Sequence, residues 1–252
     1  MRLRAQSRTD VGRRRKNNED AYLQDDEHAL FAVADGMGGH AAGEVASNAA
    51  LDALRDHVLN NAELRAAFDA HPDDAGAEEL RRMLETAVRV ACYQVYSLTE
   101  MDPDQRGMGT TLSALLLTPA AAFVAHVGDS RIYMLRQGRA VMATRDHTYV
   151  AALVAQGKLT PEQAEKAGNK NVLLRAVGPK DYVEVDTRIV SHMPGDTFLL
   201  CTDGLHGYLK AGELEQLVVS SELDASLERL VALALKRGGK DNITAVAVTL
   251  EP

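Results

Sequence analysis

The chain has 252 residues, 46% hydrophobic and 25% charged, with Lys+Arg 28 against Asp+Glu 36 and a formal net charge of −8. That length supports a sizeable core. The composition excludes a chain dominated by disorder, and the sign of the charge disfavours nucleic acid as the main partner. The charge is uneven: residues 1–16 hold Arg2, Arg4, Arg8, Arg13, Arg14, Arg15 and Lys16 with one acid, Asp10, leaving 21 basic and 35 acidic residues elsewhere, a net −14. An acidic body with a basic start suggests acids that hold cations and arginines that hold an anion. Cys92 and Cys201 make neither a disulfide framework nor a zinc cluster and fit a reducing compartment. MRLRAQSRTD lacks the apolar core of a signal peptide. The least polar stretch, 111–127, contains Ser113, Thr118, Pro119 and His126 and is no membrane span. The expectation is a cytoplasmic protein of one domain, residues 1–252, with no membrane association.

In chain order, residues 29–34 read as a buried strand stopping at the turn Asp35-Gly36. Residues 44–59 and 78–98 carry apolar side chains at helical spacing, the second more strongly, with Leu80, Leu84, Val88 and Val95 among them. Residues 110–118, 121–127, 131–135 and 140–143 read as short strands broken by turn residues, close enough to form antiparallel hairpins. A helical excursion follows over 145–180, with one helix at 148–156 and another opened by Thr160-Pro161-Glu162-Gln163, a capping box. Strands at 182–190 and 197–201, a helix at 221–236 and a closing strand of alternating character at 243–250 complete the chain. Strands and helices are segregated, which predicts α+β: two packed antiparallel sheets with helices outside.

Four aspartates share one context. Asp35, Asp129 and Asp203 follow predicted strands in Gly-containing turns, and Asp241 precedes the last strand after Gly238-Gly239. Any one of them is an ordinary turn residue. Four at strand ends favour a site, because clustered carboxylates repel and a cation removes that cost. An all-oxygen set suits Mg²⁺ or Mn²⁺. Asn18-Glu19-Asp20 adds two acids downstream of Arg13-Arg14-Arg15-Lys16, and an Arg beside such a cluster can clamp a phosphate in bidentate fashion. Two cations about 3.5–4 Å apart can activate a bridging water for in-line attack on phosphorus. No G-x-S-x-G and no Cys phosphatase loop argues for a covalent route.

Seven strings carry a family likeness: Asp10 to Asp20 (DVGRRRKNNED), Asp35 to His40 (DGMGGH), Gly107 to Thr111 (GMGTT), Gly128 to Arg131 (GDSR), Arg145 to His147 (RDH), Thr202 to Leu205 (TDGL) and Gly239 to Thr244 (GKDNIT). Each alone is weak; in this order and spacing they are specific. From about residue 6 to 250 the sequence resembles the bacterial branch of the metal-dependent Ser/Thr protein phosphatases, the PPM or type-2C family. The resemblance implies an αββα sandwich with a small helical flap near 145–180. It also implies hydrolysis of phosphoserine and phosphothreonine on proteins by a hydroxide bridging two Mn²⁺ or Mg²⁺ ions, with opposition to a bacterial Hanks-type Ser/Thr kinase as the expected cellular role. Asp35 would bridge both ions, the Gly36 carbonyl would bind one, and Asp203 and Asp241 the other. Glu19 and Asp20 would hold metal-bound waters, and Arg15 the phosphate, while Arg13 and Arg14 are solvated. Asp129 with Asp203 would form a weaker third metal site. Met37 stands where eukaryotic relatives carry a His, so the general acid is either His40 or a metal-bound water, with a structural role favoured for His40. His126, Cys201, Met37 and Met108 read as packing residues, and Ser130, Thr110 and Thr111 as hydrogen-bonding supports. The flap is expected to govern the choice among phosphoproteins, and the protein to be a monomer. A substrate such as an anti-sigma-factor antagonist, a non-catalytic binding module and a metal-dependent nuclease are the alternatives; the retained aspartates disfavour the second and the net charge the third.

Overall fold

A computed structural model describes residues 1–38 and 42–251. The chain opens with β1 (Leu3–Asp10), β2 (Asp20–Asp25) and β3 (Leu30–Met37), then three helices, α1 (Ala42–Asn60), α2 (Ala62–Ala70) and α3 (Asp74–Met101). The short β4 (Gly109–Thr110) precedes β5 (Leu112–Leu117), β6 (Ala122–Val127), β7 (Arg131–Arg136) and β8 (Arg139–Met142). The flap carries α4 (Tyr149–Ala155) and α5 (Pro161–Glu165). Then come β9 (Asp186–Val190), β10 (Thr197–Cys201), α6 (Asp203–His206), α7 (Glu213–Leu217), α8 (Leu223–Lys236) and β11 (Ile243–Leu250).

One sheet runs β1–β11–β10–β7–β8 and the other β2–β3–β5–β6–β9, with β4 beside β3; every pairing is antiparallel. Three apolar clusters fill the spaces between four layers. The first joins α1, α2 and α3 to one sheet through Leu54, Leu84, Ala114 and Phe123. The second lies between the sheets, with Phe31, Val124, Phe198 and Val246. The third packs α8 on the other sheet through Leu227, Leu230, Leu199 and Ala245. The α+β expectation of two antiparallel sheets flanked by helices is borne out.

Because both faces of a central strand are covered, β10 and β11 are buried at every position. β11 was expected to alternate as a closing strand. It lies inside the sheet, and its alternation is between two apolar faces: Val246, Val248 and Leu250 toward the second sheet, Ile243, Ala245 and Ala247 toward the helices. The edge is β1, which the sequence hid under its arginines. Basic edge strands resist pairing with other chains. Arg2 and Arg4 pair with Glu251, and Arg8 with Asp224. The basic start is thus mostly a fastened edge, and only part of it approaches the acids.

One turn expected to close a hairpin, at Gly128-Asp129-Ser130, instead carries the chain from sheet to sheet, and so does the turn at Pro194-Gly195-Asp196. β6 and β7, consecutive in sequence, belong to different sheets, as do β9 and β10. Gly128, at φ +109°, makes the first crossing and lies against Thr111, where a Cβ would come within 2.5 Å of the Thr111 side chain. The capping box at α5 is present: Thr160 accepts from the Gln163 N–H at 3.3 Å, and Gln163 accepts from the Thr160 N–H at 2.8 Å. The flap stem is tied to the body where the His147 N–H donates to the Gly128 carbonyl at 2.7 Å and Val177 pairs with Thr110. Among the described residues no helix is long and apolar enough to cross a membrane.

Candidate metal centre and phosphate site

The antiparallel order brings the ends of β3, β6 and β10 and the beginnings of β2 and β11 to one end of the sandwich. Asp20 and Asp35 face each other as a registered pair across β2 and β3. Strand β3 does not stop at Asp35, as expected, but runs on to Met37, because Gly36 and Met37 pair with Thr110 and Gly109. Asp203 is likewise not in a turn; it opens α6, directly after the buried run of β10.

Asp20 and Asp129 are buried, while Asp35, Asp203 and Asp241 are half-buried where the sheets open to solvent. Burial pushes the Asp35 carboxyl well above the usual range, and the charges of Asp20, Asp203, Asp129 and Asp241 push it further. Burial, with Asp203 and Asp146 nearby, raises Asp129 to about 7. Burial also raises Asp20 to about 7, against the hydrogen bond from Thr202. Asp203 is raised by burial and by the charge of Asp241, offset in part by its closeness to Asp35 and by Arg15. The Oδ1 of Asp20 is buried without any partner. Crowded, proton-hungry oxygens with an orphaned lone pair fit a hard divalent cation. No group of three or more His, Cys, Asp or Glu side chains among the described residues is already arranged as a closed ligand set. Asp241 turns to a protein partner instead.

Arg15 supplies that partner. Its Nε and Nη2 lie 2.9 Å from the two Asp241 oxygens, and its Nη1 is 3.6 Å from Glu19. About half of its side chain is exposed, which leaves the guanidinium within reach of an incoming anion. Glu19 is half-buried, and desolvation raises its carboxyl despite Arg15. Arg13 and Arg14 are exposed, as expected. Gly36 donates its N–H to the Glu19 carbonyl at 3.1 Å. His40 lies outside the described residues.

The expected supports are in place. Thr111 Oγ1 accepts from the Asp35 N–H at 2.9 Å and contacts Ser130 Oγ at 2.8 Å. Met108, His126 and Cys201 are core residues. Two further positioning residues escaped the sequence reading. Thr202 donates its hydroxyl to Asp20 Oδ2 at 2.9 Å and accepts from the Thr244 N–H at 3.1 Å, joining the two sheets. Asn242 accepts from the Glu19 N–H at 2.8 Å and donates to the carbonyls of Val11 at 3.0 Å and Asn17 at 2.9 Å. It fastens the loop that carries Arg15 and Glu19. Their signal was position: each is a polar residue beside a strand buried at every position, where an unbonded polar group is costly. His206 was missed too. Burial and the Arg131 charge push it down to about 3, so it is neutral, and its Nε2–H donates to the Asp129 carbonyl at 2.9 Å.

Thr202→Val keeps the shape of the side chain and removes both bonds. It should lower unfolding free energy by about 1–3 kcal/mol, read from urea denaturation in EDTA. An unchanged midpoint would show that the Asp20 contact contributes nothing.

A two-layered β-sandwich whose sheets each bring carboxylates to a shared seam, with an arginine at the rim, defines a metal-assisted phosphoryl hydrolase class. The profile of the protein phosphatase 2C family matches residues 11–246, and the chain belongs to that family. It is 36% identical over 250 residues to the serine/threonine phosphatase stp of Listeria innocua, covering 98% of this chain and 95% of that one. It is 38% identical over 244 residues to the serine/threonine protein phosphatase PstP of Mycobacterium tuberculosis, covering 97% of this chain but spanning only 44% of that relative's length. The crystal structure of a PstP catalytic domain in complex with two manganese ions superposes with a TM-score of 0.81 at 36% identity, covering 99% of both chains.

Proposed function

We propose that residues 1–252 form one catalytic domain that hydrolyses phosphoserine and phosphothreonine on proteins with two Mn²⁺ or Mg²⁺ ions. The observation that carries this reading is the gathering of acids from both sheets at one seam, with Asp20 registered against Asp35, Asp20 Oδ1 buried without a partner, and Arg15 held at the rim by Asp241. Asp35, the Gly36 carbonyl, Asp203 and Asp241 would hold the two ions, Glu19 and Asp20 their waters, and Asp129 with Asp203 a weaker third. When bound, the ions supply an activated water between them and positive charge for the phosphoryl oxygens. Arg15 orients the phosphate. Thr202, Thr111 and Asn242 hold the acids and their loop in register. The chain acts as a cytoplasmic monomer opposing a Hanks-type kinase.

The test is hydrolysis of a phosphothreonine peptide with Mn²⁺, Mg²⁺ or EDTA, comparing the native chain with Asp203→Asn. Metal-dependent turnover that collapses in the variant supports the reading. Turnover in EDTA, or an unaffected variant, overturns it.

A pH dependence follows. Asp20 and Asp129 titrate near 7 in the fold against 3.8 outside it, so their protonated forms favour the metal-free fold below about pH 4 and that contribution is lost as pH rises to about 7. His126 and His206, pushed by burial to about 4 and about 3, act oppositely, as do His57 and His147, which burial also lowers; that effect fades as the unfolded histidines lose their protons through pH 6.5. Above about pH 7 the buried carboxylates dominate the slope. The melting temperature in EDTA should therefore fall between about pH 7 and about pH 8, and the increment given by Mn²⁺ should grow, because the ion replaces those protons. A constant increment would count against carboxylate ligation.

A further inference from the structure

Away from the seam, a cavity of about 360 Å³ opens between β6 and β9 of one sheet and the segment leaving β8 of the other, lined among others by His126, Thr144, Arg145, Asp186, Thr187 and Arg188. Arg145 and Arg188 are exposed, and among the described residues neither guanidinium is in an ion pair. The nearby acids have partners of their own. Asp186 lies 2.7 Å from Arg175 and 3.2 Å from His147, and Asp146 is held bidentately by Arg131. The unmatched charge at the cavity is thus positive. Its hydroxyls are also poised to donate. Thr144 Oγ1 already accepts from the Ile132 N–H, and Thr187 Oγ1 from Arg81, so each hydroxyl proton is free for a ligand. His126, buried, fixes Arg145 by donating from Nε2 to its carbonyl at 3.0 Å while Nδ1 accepts from Ser113. Two guanidinium forks and two hydroxyls match a tetrahedral dianion better than a planar carboxylate.

We propose that this cavity is an accessory phosphate site, which takes a second phosphoryl group on the same protein substrate. The identity of that ligand rests on the phosphatase reading. His126 lies at the end of β6, three residues before Asp129, so that end of the cavity is within about 10 Å of the acidic seam. Three or four residues of extended peptide span that distance. Phosphoproteins with closely spaced phosphosites would engage both places.

The binding test is run in EDTA, where no hydrolysis occurs, at low salt. A fluorescein-labelled phosphothreonine peptide should bind the native chain more tightly than its unphosphorylated form. Inorganic phosphate should compete, and the double variant Arg145→Gln with Arg188→Gln should weaken phosphopeptide binding by about tenfold or more. Both side chains are at the surface, and an unchanged melting temperature verifies that the variant is folded. With Mn²⁺ present, a peptide bearing two phosphothreonines four residues apart should show a kcat/KM about tenfold above its singly phosphorylated form. The double variant should erase that preference and leave the rate on a small aryl phosphate unchanged. Equal binding of phosphorylated and plain peptides, or a preference that survives in the variant, overturns the accessory site. Absence of hydrolysis with Mn²⁺, with the EDTA binding difference intact, overturns the phosphatase reading and leaves the phosphate site standing.

Discussion

Asp35→Asn should move stability and activity in opposite directions. In EDTA the variant is expected to melt higher than the native chain, while Mn²⁺-dependent turnover falls by about three orders of magnitude. Asp35 sits half-buried against Asp20, Asp203, Asp129 and Asp241, and burial followed by those charges holds its proton on. At neutral pH the metal-free fold must either carry that proton or bear the repulsion. An amide removes the charge that Asp35 would otherwise bear among the four neighbouring acids. The scale is set by Asp20 and Asp129: a shift from 3.8 to about 7 corresponds to about 4 kcal/mol of disfavoured charge at pH above 7. Even a quarter of that raises the melting temperature by about 2–4 °C in a chain of this size. Mn²⁺ should stabilise the native chain and not the variant. Calorimetry with and without metal, beside peptide turnover, reads both. A variant that melts lower in EDTA and stays active would remove Asp35 from the metal centre.

Gly204→Ala should be the most damaging single methyl in the molecule. A Cβ at that position would stand 1.8 Å from the Asn242 carbonyl oxygen, a contact with backbone that no side-chain rotation relieves. Gly204 follows Asp203 and Asn242 follows Asp241, so forcing these backbones apart also separates two acids expected to share an ion. Overpacking of this kind costs about 1–3 kcal/mol, or more where both partners are backbone. We expect a loss of at least that size in urea denaturation, with Mn²⁺ affinity reduced about tenfold or more. Gly168→Ala, where an added Cβ would meet nothing within 4 Å, serves as the control. Equal effects at the two positions would mean that the added methyl as such, and not the close approach, accounts for the loss.

Much of the architecture was legible because its signals were local. Residues 197–201 and 243–250 were read with their observed bounds, since mainly apolar runs flanked by turn residues leave little choice. The α5 capping box depends on four adjacent residues and was legible for the same reason. What stayed hidden depended on partners far along the chain. β1 is polar because it is an edge, and its arginines answer Asp224 and Glu251, more than 200 residues away. β2 is short and begins and ends in an Asp, and only its register with β3 makes it a strand. The crossings at Gly128-Asp129-Ser130 and between β9 and β10 look like hairpin turns, because local sequence reports a reversal but not which sheet receives the next strand. In the site, the aspartates were visible through their repeated strand-end context. Thr202 and Asn242 were not, because their importance lies in bonds to residues 20 and 19 across the seam.

The chain's change of sheet between β6 and β7 has a mechanical consequence. Asp20 and Asp35 ride on one sheet, Asp203 and Asp241 on the other, and the layer of Phe31, Val124, Phe198 and Val246 is the bearing on which the sheets could slide. Any shear of one sheet over the other changes the spacing between oxygens contributed from opposite sides. The packing of that apolar layer therefore sets the gauge of the ion site from a distance. Trimming Phe198 or Val246 would loosen metal binding without touching a ligand, and an ion held at the seam would in turn resist the sliding of the whole sandwich.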